Sequence, residues 1–198
     1  MKVPTLAQIN LWLAAGSTVV AVAMSVPPLR SVIEQSMAWH MVFQMPLLVL
    51  GGWLSARALP PNLSIQYWAG FNQFGLTGFM VAQVIVAYWM LPLAIDRAVV
   101  LPAADALKLL TLFASGMLLA DAFKRAPGEL QLFFMGYWLS MMAWLGVYFA
   151  TTELRLCNAY SLQSQVNTGW GLLALGITLG AAWTVSVLSK KVTGSFKK

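Results

Sequence analysis

A chain of 198 residues with 60% apolar and 9% charged side chains stands far from the soluble average, where about a quarter of residues are charged. That composition excludes an ordinary soluble domain. The net charge of +6 is distributed over loops and tail, so it reads as a membrane-topology signal and gives a nucleic-acid partner no support.

Crossing ~30 Å of hydrocarbon takes about 20 apolar residues. Runs of that kind fall at 9–26, 36–56, 71–95, 106–123, 130–151 and 167–188. They lack the alternating polarity of barrel strands, and backbone groups in lipid must be satisfied internally. The sequence therefore predicts an all-α integral membrane protein, a bundle of about six transmembrane helices forming one domain over 1–198, with short loops.

In the first run, Ala21-Val22-Ala23 resembles a signal-peptide cleavage site after a single basic residue, Lys2. The run is longer than a usual signal core, so it is read as a helix of the mature protein, ended by Pro27-Pro28. The second run holds the chain's one histidine, His40. Around it, Met37, His40, Met41, Gln44 and Met45 share an arc of roughly 140° on a helix. An imidazole inside a membrane span is costly without a partner and is a functional candidate by default. Imidazole and thioether together suit copper. The same stripe also reads as ordinary methionine packing, with His40 hydrogen-bonded to a neighbouring helix. Pro46 follows, then Gly51-Gly52, which offer a surface for close helix contact; Pro60-Pro61 closes the region.

The third run carries Asn72, Gln73 and Gln83 and ends near Pro92, a candidate kink. The fourth has Lys108 and Asp121 near opposite ends, and Pro127-Gly128 makes a tight turn into the fifth. Cys157 stands alone in the loop after the fifth run, so no intrachain disulfide is available; a weak metal ligand, an intermolecular bridge and an inert thiol remain open. Asn167 opens the sixth run, and Gly176 with Gly180 forms a small-xxx-small pair. The polar residues within spans read as interhelical glue, since no string of acids at mid-membrane marks a proton or ion path. The aromatic residues Trp39, Trp53, Trp68, Trp89 and Trp170 read as interfacial anchors among membrane lipids.

With six crossings, Lys2, Arg57, Lys124, Arg125, Lys190, Lys191, Lys197 and Lys198 share one side, and Arg30, Arg97, Lys108 and Arg155 the other. Eight against four puts both termini in the cytoplasm. His40, Asp96-Arg97, Asp105, Lys108, Glu153, Arg155 and Ser161–Gln165 then gather at the outer face, the expected place for a metal or partner site.

His40-Met41 with Gln44-Met45 and Pro46-Leu47-Leu48 resembles the His-Met-x-x-His-Met signature of the CtaG-type (caa3-type) cytochrome c oxidase assembly membrane proteins. Trp89-Met90-Leu91-Pro92 is similar to that family's Trp-His-x-Pro, and Ser164-Gln165 with Gly169 to its Asp-Gln-x-x-x-Gly segment. The resemblance spans about 36–188. It implies a bacterial inner-membrane protein that delivers copper to haem–copper oxidases, with His40, Met41, Met45 and Met90 as metal ligands. The chain departs from the pattern at Gln44 and Met90, which replace histidines, and at Asp105 and Lys108, where the family often has more.

Two readings follow. One is a copper-handling assembly factor for a respiratory oxidase or other membrane copper enzyme. The other is a non-catalytic accessory subunit of a membrane enzyme complex that has lost its metal, its partners being the other subunits of that respiratory or copper-enzyme complex. No nucleophile–base pair and no phosphate-binding glycine loop is present, so an enzyme is not expected.

Overall fold

The computed structural model describes residues 5–26, 29, 36–59, 70, 72–157 and 160–195. Lys2, Pro27-Pro28, Arg30, Pro60-Pro61, Trp68 and Lys197-Lys198 lie outside them. The described residues form an all-α bundle: α1 (Leu6–Ala23), a π-helical stretch Trp39–Gln44 leading into α2 (Met45–Ala58), α3 (Leu76–Trp89), α4 (Pro92–Val100), α5 (Pro102–Arg125), α6 (Gly128–Thr151) and α7 (Leu162–Ser195).

Among the described residues, four segments are long and apolar enough to cross a membrane: Trp39–Ala58, Pro102–Arg125, Gly128–Thr151 and Leu162–Ser189. The helix α1 is a shorter apolar one of 18 residues. The expected third span, 71–95, is not one straight crossing. Its helix begins at Leu76, so Asn72 and Gln73 precede it, and α4 departs from α3 at 71°. Proline is the cause. A residue before proline is driven out of helical backbone, and Leu91, Leu101 and Ala126, each followed by proline, have ψ of 132°, 113° and 135°. Each marks a helix boundary. The sixth span starts at Leu162, five residues earlier than the apolar run, because the polar stretch Ser161–Gln165 forms its first turn.

Helix α2 is central, packed between α1 and α5, while α3 covers α5 and α6 pairs with α7. Glycine lets α2 and α5 meet backbone to backbone. A Cβ on Gly52 would lie 2.9 Å from Phe113 C, and one on Gly116 2.9 Å from Trp53 N and Val49 C, with the Phe113 and Val49 carbonyl oxygens nearer still. Two apolar cores result. One holds Phe79, Leu119, Ala122 and Phe134, with Phe79 stacked on Phe134 at 4.7 Å between centroids. The other collects Met37, Met41, Met45, Met90, Ile95, Leu112, Met142, Cys157 and Tyr160. The outward faces are apolar, as Trp12, Leu110, Trp144 and Ile177 show, which is the surface a lipid environment requires.

At the end away from His40, Asn72 ties the start of α3 to α5. Its amide donates to Asp121 Oδ2 (2.9 Å) and accepts from Gly78 N–H, while Arg125 grips the same carboxylate at 2.8 Å. Gly75 caps α3 at φ +74°, a conformation that costs an L residue strain.

Candidate functional site: a buried lysine on the only histidine

The turn that carries His40 is a π-helix. Met45 N–H bonds to His40 O, five residues back, instead of the four of a regular helix. Pro46 explains this. Its ring would press on the carbonyl four residues earlier in a regular helix, and it has no N–H to give, so a wider turn ahead of it relieves the clash. Such turns recur at functional sites. Along this stretch Met37, His40, Met41, Gln44 and Met45 are all buried, while Trp39 and Phe43 face outward and lie against each other at 4.7 Å. The expected stripe therefore points into the bundle.

What meets it is Lys108, a fully buried residue of α5. Its Nζ lies 2.6 Å from His40 Nε2, 3.3 Å from Gln44 Oε1 and 2.6 Å from Asp105 Oδ1. One ammonium carries three hydrogens and no lone pair, and three acceptors surround it. Accepting from it requires a neutral imidazole with the lone pair on Nε2 and the proton on Nδ1. Gln44 uses the other end of its amide as well: Nε2 donates to Ala21 O and Ser25 Oγ, both at 2.9 Å. One glutamine thus joins α1 to the lysine. Burying a charge is costly unless it is paired and hydrogen-bonded; Asp105, at the rim with 11% of its side chain exposed, supplies the counter-charge.

Other segments close over this end. Met37 N–H donates to Ser164 Oγ at 2.7 Å, so the first turn of α7 sits on the start of the π stretch. Gln165 clasps the chain at Leu154 and Leu156, donating to Leu154 O and accepting from Leu156 N–H, and Arg155 Nε donates to Tyr160 O. The Tyr160 ring is 6.5 Å from the imidazole. From α4, Ala94, Ile95 and Ala98 join the same core, and Trp89 Nε1 donates to Thr111 Oγ1. Cys157 in the loop is buried, and desolvation, with the negative charge of Asp96, pushes its thiol up to about 12. It stays a neutral thiol at physiological pH, unsuited to attack or ligation.

The sequence-predicted ligands are thus all buried in one region: Met41, Met45 and Met90 share a core cluster, and His40 stands beside them. Among the described residues no group of three or more His, Cys, Asp or Glu side chains gathers as a metal site. The donor set fits soft copper in its sulfurs, but in this arrangement the imidazole nitrogen Nε2 is turned to an ammonium, and no mechanism through a metal is derived from it. Sequence reasoning placed Lys108 at the same membrane face as His40 without pairing the two. The available signal was Asp105 three residues before Lys108, a spacing that puts both on one helix face. The chain matches no protein-family model, no curated protein and no solved structure.

Proposed function

We propose that this chain is a non-catalytic membrane subunit or assembly partner of a respiratory oxidase or other membrane copper enzyme, acting through its helices and outer loops without holding the metal itself. The supporting observation is the 2.6 Å contact of Lys108 Nζ with His40 Nε2, which sets a protein cation against one of the two ring nitrogens that can ligate a metal. The partner class comes from the resemblance of the 36–188 region to CtaG-type proteins. The proposed setting is the bacterial inner membrane with both termini cytoplasmic, since eight of the twelve basic residues then lie inside. The lysine-centred end with the 152–161 loop would face outward, where a partner's metal-bearing domain is reached.

A second reading, copper handling by the chain itself, is favoured by the burial of Met41, Met45 and Met90 in one cluster beside His40. Copper per chain separates the two. Native protein and His40→Ala are purified gently under reducing conditions and analysed for metal and co-purifying subunits. Near-zero copper in both, with a fixed ratio to a large membrane enzyme, is the expected result. Copper close to one per chain in the native protein that disappears in His40→Ala would overturn the first reading in favour of the second.

A further inference from the structure

We infer that the Lys108 ammonium is the resident cation of this site: it stands on the His40 lone pair where a metal ion would stand, and it alone keeps soft metal away from an otherwise suitable donor set. The inference rests on the lysine-centred geometry of the reading above and not on the identity of any partner, so it stands or falls on the purified chain.

A metal on an imidazole nitrogen sits about 2 Å along its lone pair. Lys108 Nζ is 2.6 Å from that nitrogen, so the two cannot be there together. Nor can the lysine swing aside cheaply. It is wholly buried, and Gln44 Oε1 and Asp105 Oδ1 hold its remaining hydrogens. Its departure would strand the Asp105 carboxylate and leave Gln44, the tether of α1, half satisfied. On the π turn and at its two ends, Met37, Met41 and Met45 are buried with His40, and Met90 joins their core. Imidazole with thioethers is a set that takes Cu(I). Removing the lysine side chain empties the place in front of Nε2 and leaves the imidazole with the buried thioethers of its own helix.

The chain has one histidine, so a protein labelled with ¹⁵N-histidine gives the signals of a single imidazole. In detergent, the native full-length chain should show a neutral ring protonated on Nδ1 and accepting on Nε2, unchanged by Cu(I) supplied with a reductant. Lys108→Ala should then take up about one Cu(I) per chain in competition with a chromophoric chelator, with affinity at least about tenfold above the native chain, and adding His40→Ala should abolish the gain. Native signals that shift on Cu(I) addition, or a folded Lys108→Ala chain that binds no more copper than native, would overturn the inference. If Lys108→Ala does not fold, the native chain decides alone: a proton on Nε2 overturns it, and the Nδ1 form that ignores Cu(I) sustains it.

Discussion

Alanine at Gly116 should loosen the bundle and disturb a site two helical turns away. The added Cβ would sit 2.9 Å from Trp53 N and Val49 C, and nearer to the Val49 carbonyl oxygen. Carbon contacts are comfortable at about 3.5–4.0 Å, so α2 and α5 must part by on the order of 1 Å. The opposing atoms are backbone and cannot turn away as the end of a side chain would. Overpacking of this kind costs about 1–3 kcal/mol, and a backbone clash belongs at the upper end. The gain in helix propensity from Gly to Ala returns about 1 kcal/mol, leaving a net loss of about 2 kcal/mol. Lys108 lies eight residues before Gly116 on α5, about 12 Å along the axis, and His40 is on the same span as Val49. Parting the helices therefore also stretches the 2.6 Å contact between Lys108 and His40.

The assay is reversible unfolding in mixed micelles by SDS titration, followed by helix content. Gly136 is the control, because a Cβ there meets nothing within 4 Å; its alanine variant should be as stable as native or gain up to about 1 kcal/mol. Gly52→Ala should resemble Gly116→Ala, and the double variant should fall short of the sum because both wedge the same interface. A Gly116→Ala protein as stable as native, or a Gly136→Ala protein equally weakened, would refute close backbone packing as what holds α2 on α5.

Asp105→Asn leaves a buried ammonium without its counter-charge and should cost about 3–5 kcal/mol, against about 1–3 kcal/mol for Gln44→Ala, which strands neutral hydrogen-bond partners; the same titration compares them, and equal losses would mean that the carboxylate does not neutralise Lys108. Cys157 should resist maleimide at pH 7–8 until the protein is denatured, since its thiol is buried and pushed up to about 12. The same shift fixes a sign: the folded state holds the thiol proton more tightly than the unfolded one, so between pH 9 and about 12 stability should fall as pH rises, and Cys157→Ser should flatten that fall. Cysteines introduced near Lys191 and near Arg155 in a Cys157→Ser background should label from opposite sides of the membrane; labelling from the same side would reject the proposed topology.

Hydropathy made the helices legible, and helical spacing made the inward stripe legible, because a span that buries one face must carry its costly groups there. Met37, His40, Met41, Gln44 and Met45 are buried accordingly. The break at Leu91 was half legible. Pro92 announced a kink, but a proline in a run of leucine and alanine looks the same whether it bends a crossing or ends one, and the 71° turn depends on α4 packing its Ala94, Ile95 and Ala98 face onto the core. Pro102, which sets the start of α5 in the same way, falls between the apolar runs 71–95 and 106–123 and so reads as part of a loop. The pairing of His40 with Lys108 was the least legible of all. It joins residues 68 apart in sequence, and its register is set by glycines that bring α2 onto α5 at backbone distance. Nothing local to either residue records that distance. Gln44 shows what the sequence does record: an amide within the inward stripe that donates to α1 and accepts from the lysine at once. Neutral imidazole also has one donor and one acceptor nitrogen, but on a rigid ring their directions diverge, whereas Gln44 presents two donor hydrogens and a carbonyl on a flexible stem. Gln44, Asp105 and Lys108 are therefore parts of one unit, built around an ammonium that joins α1, the π turn and α5.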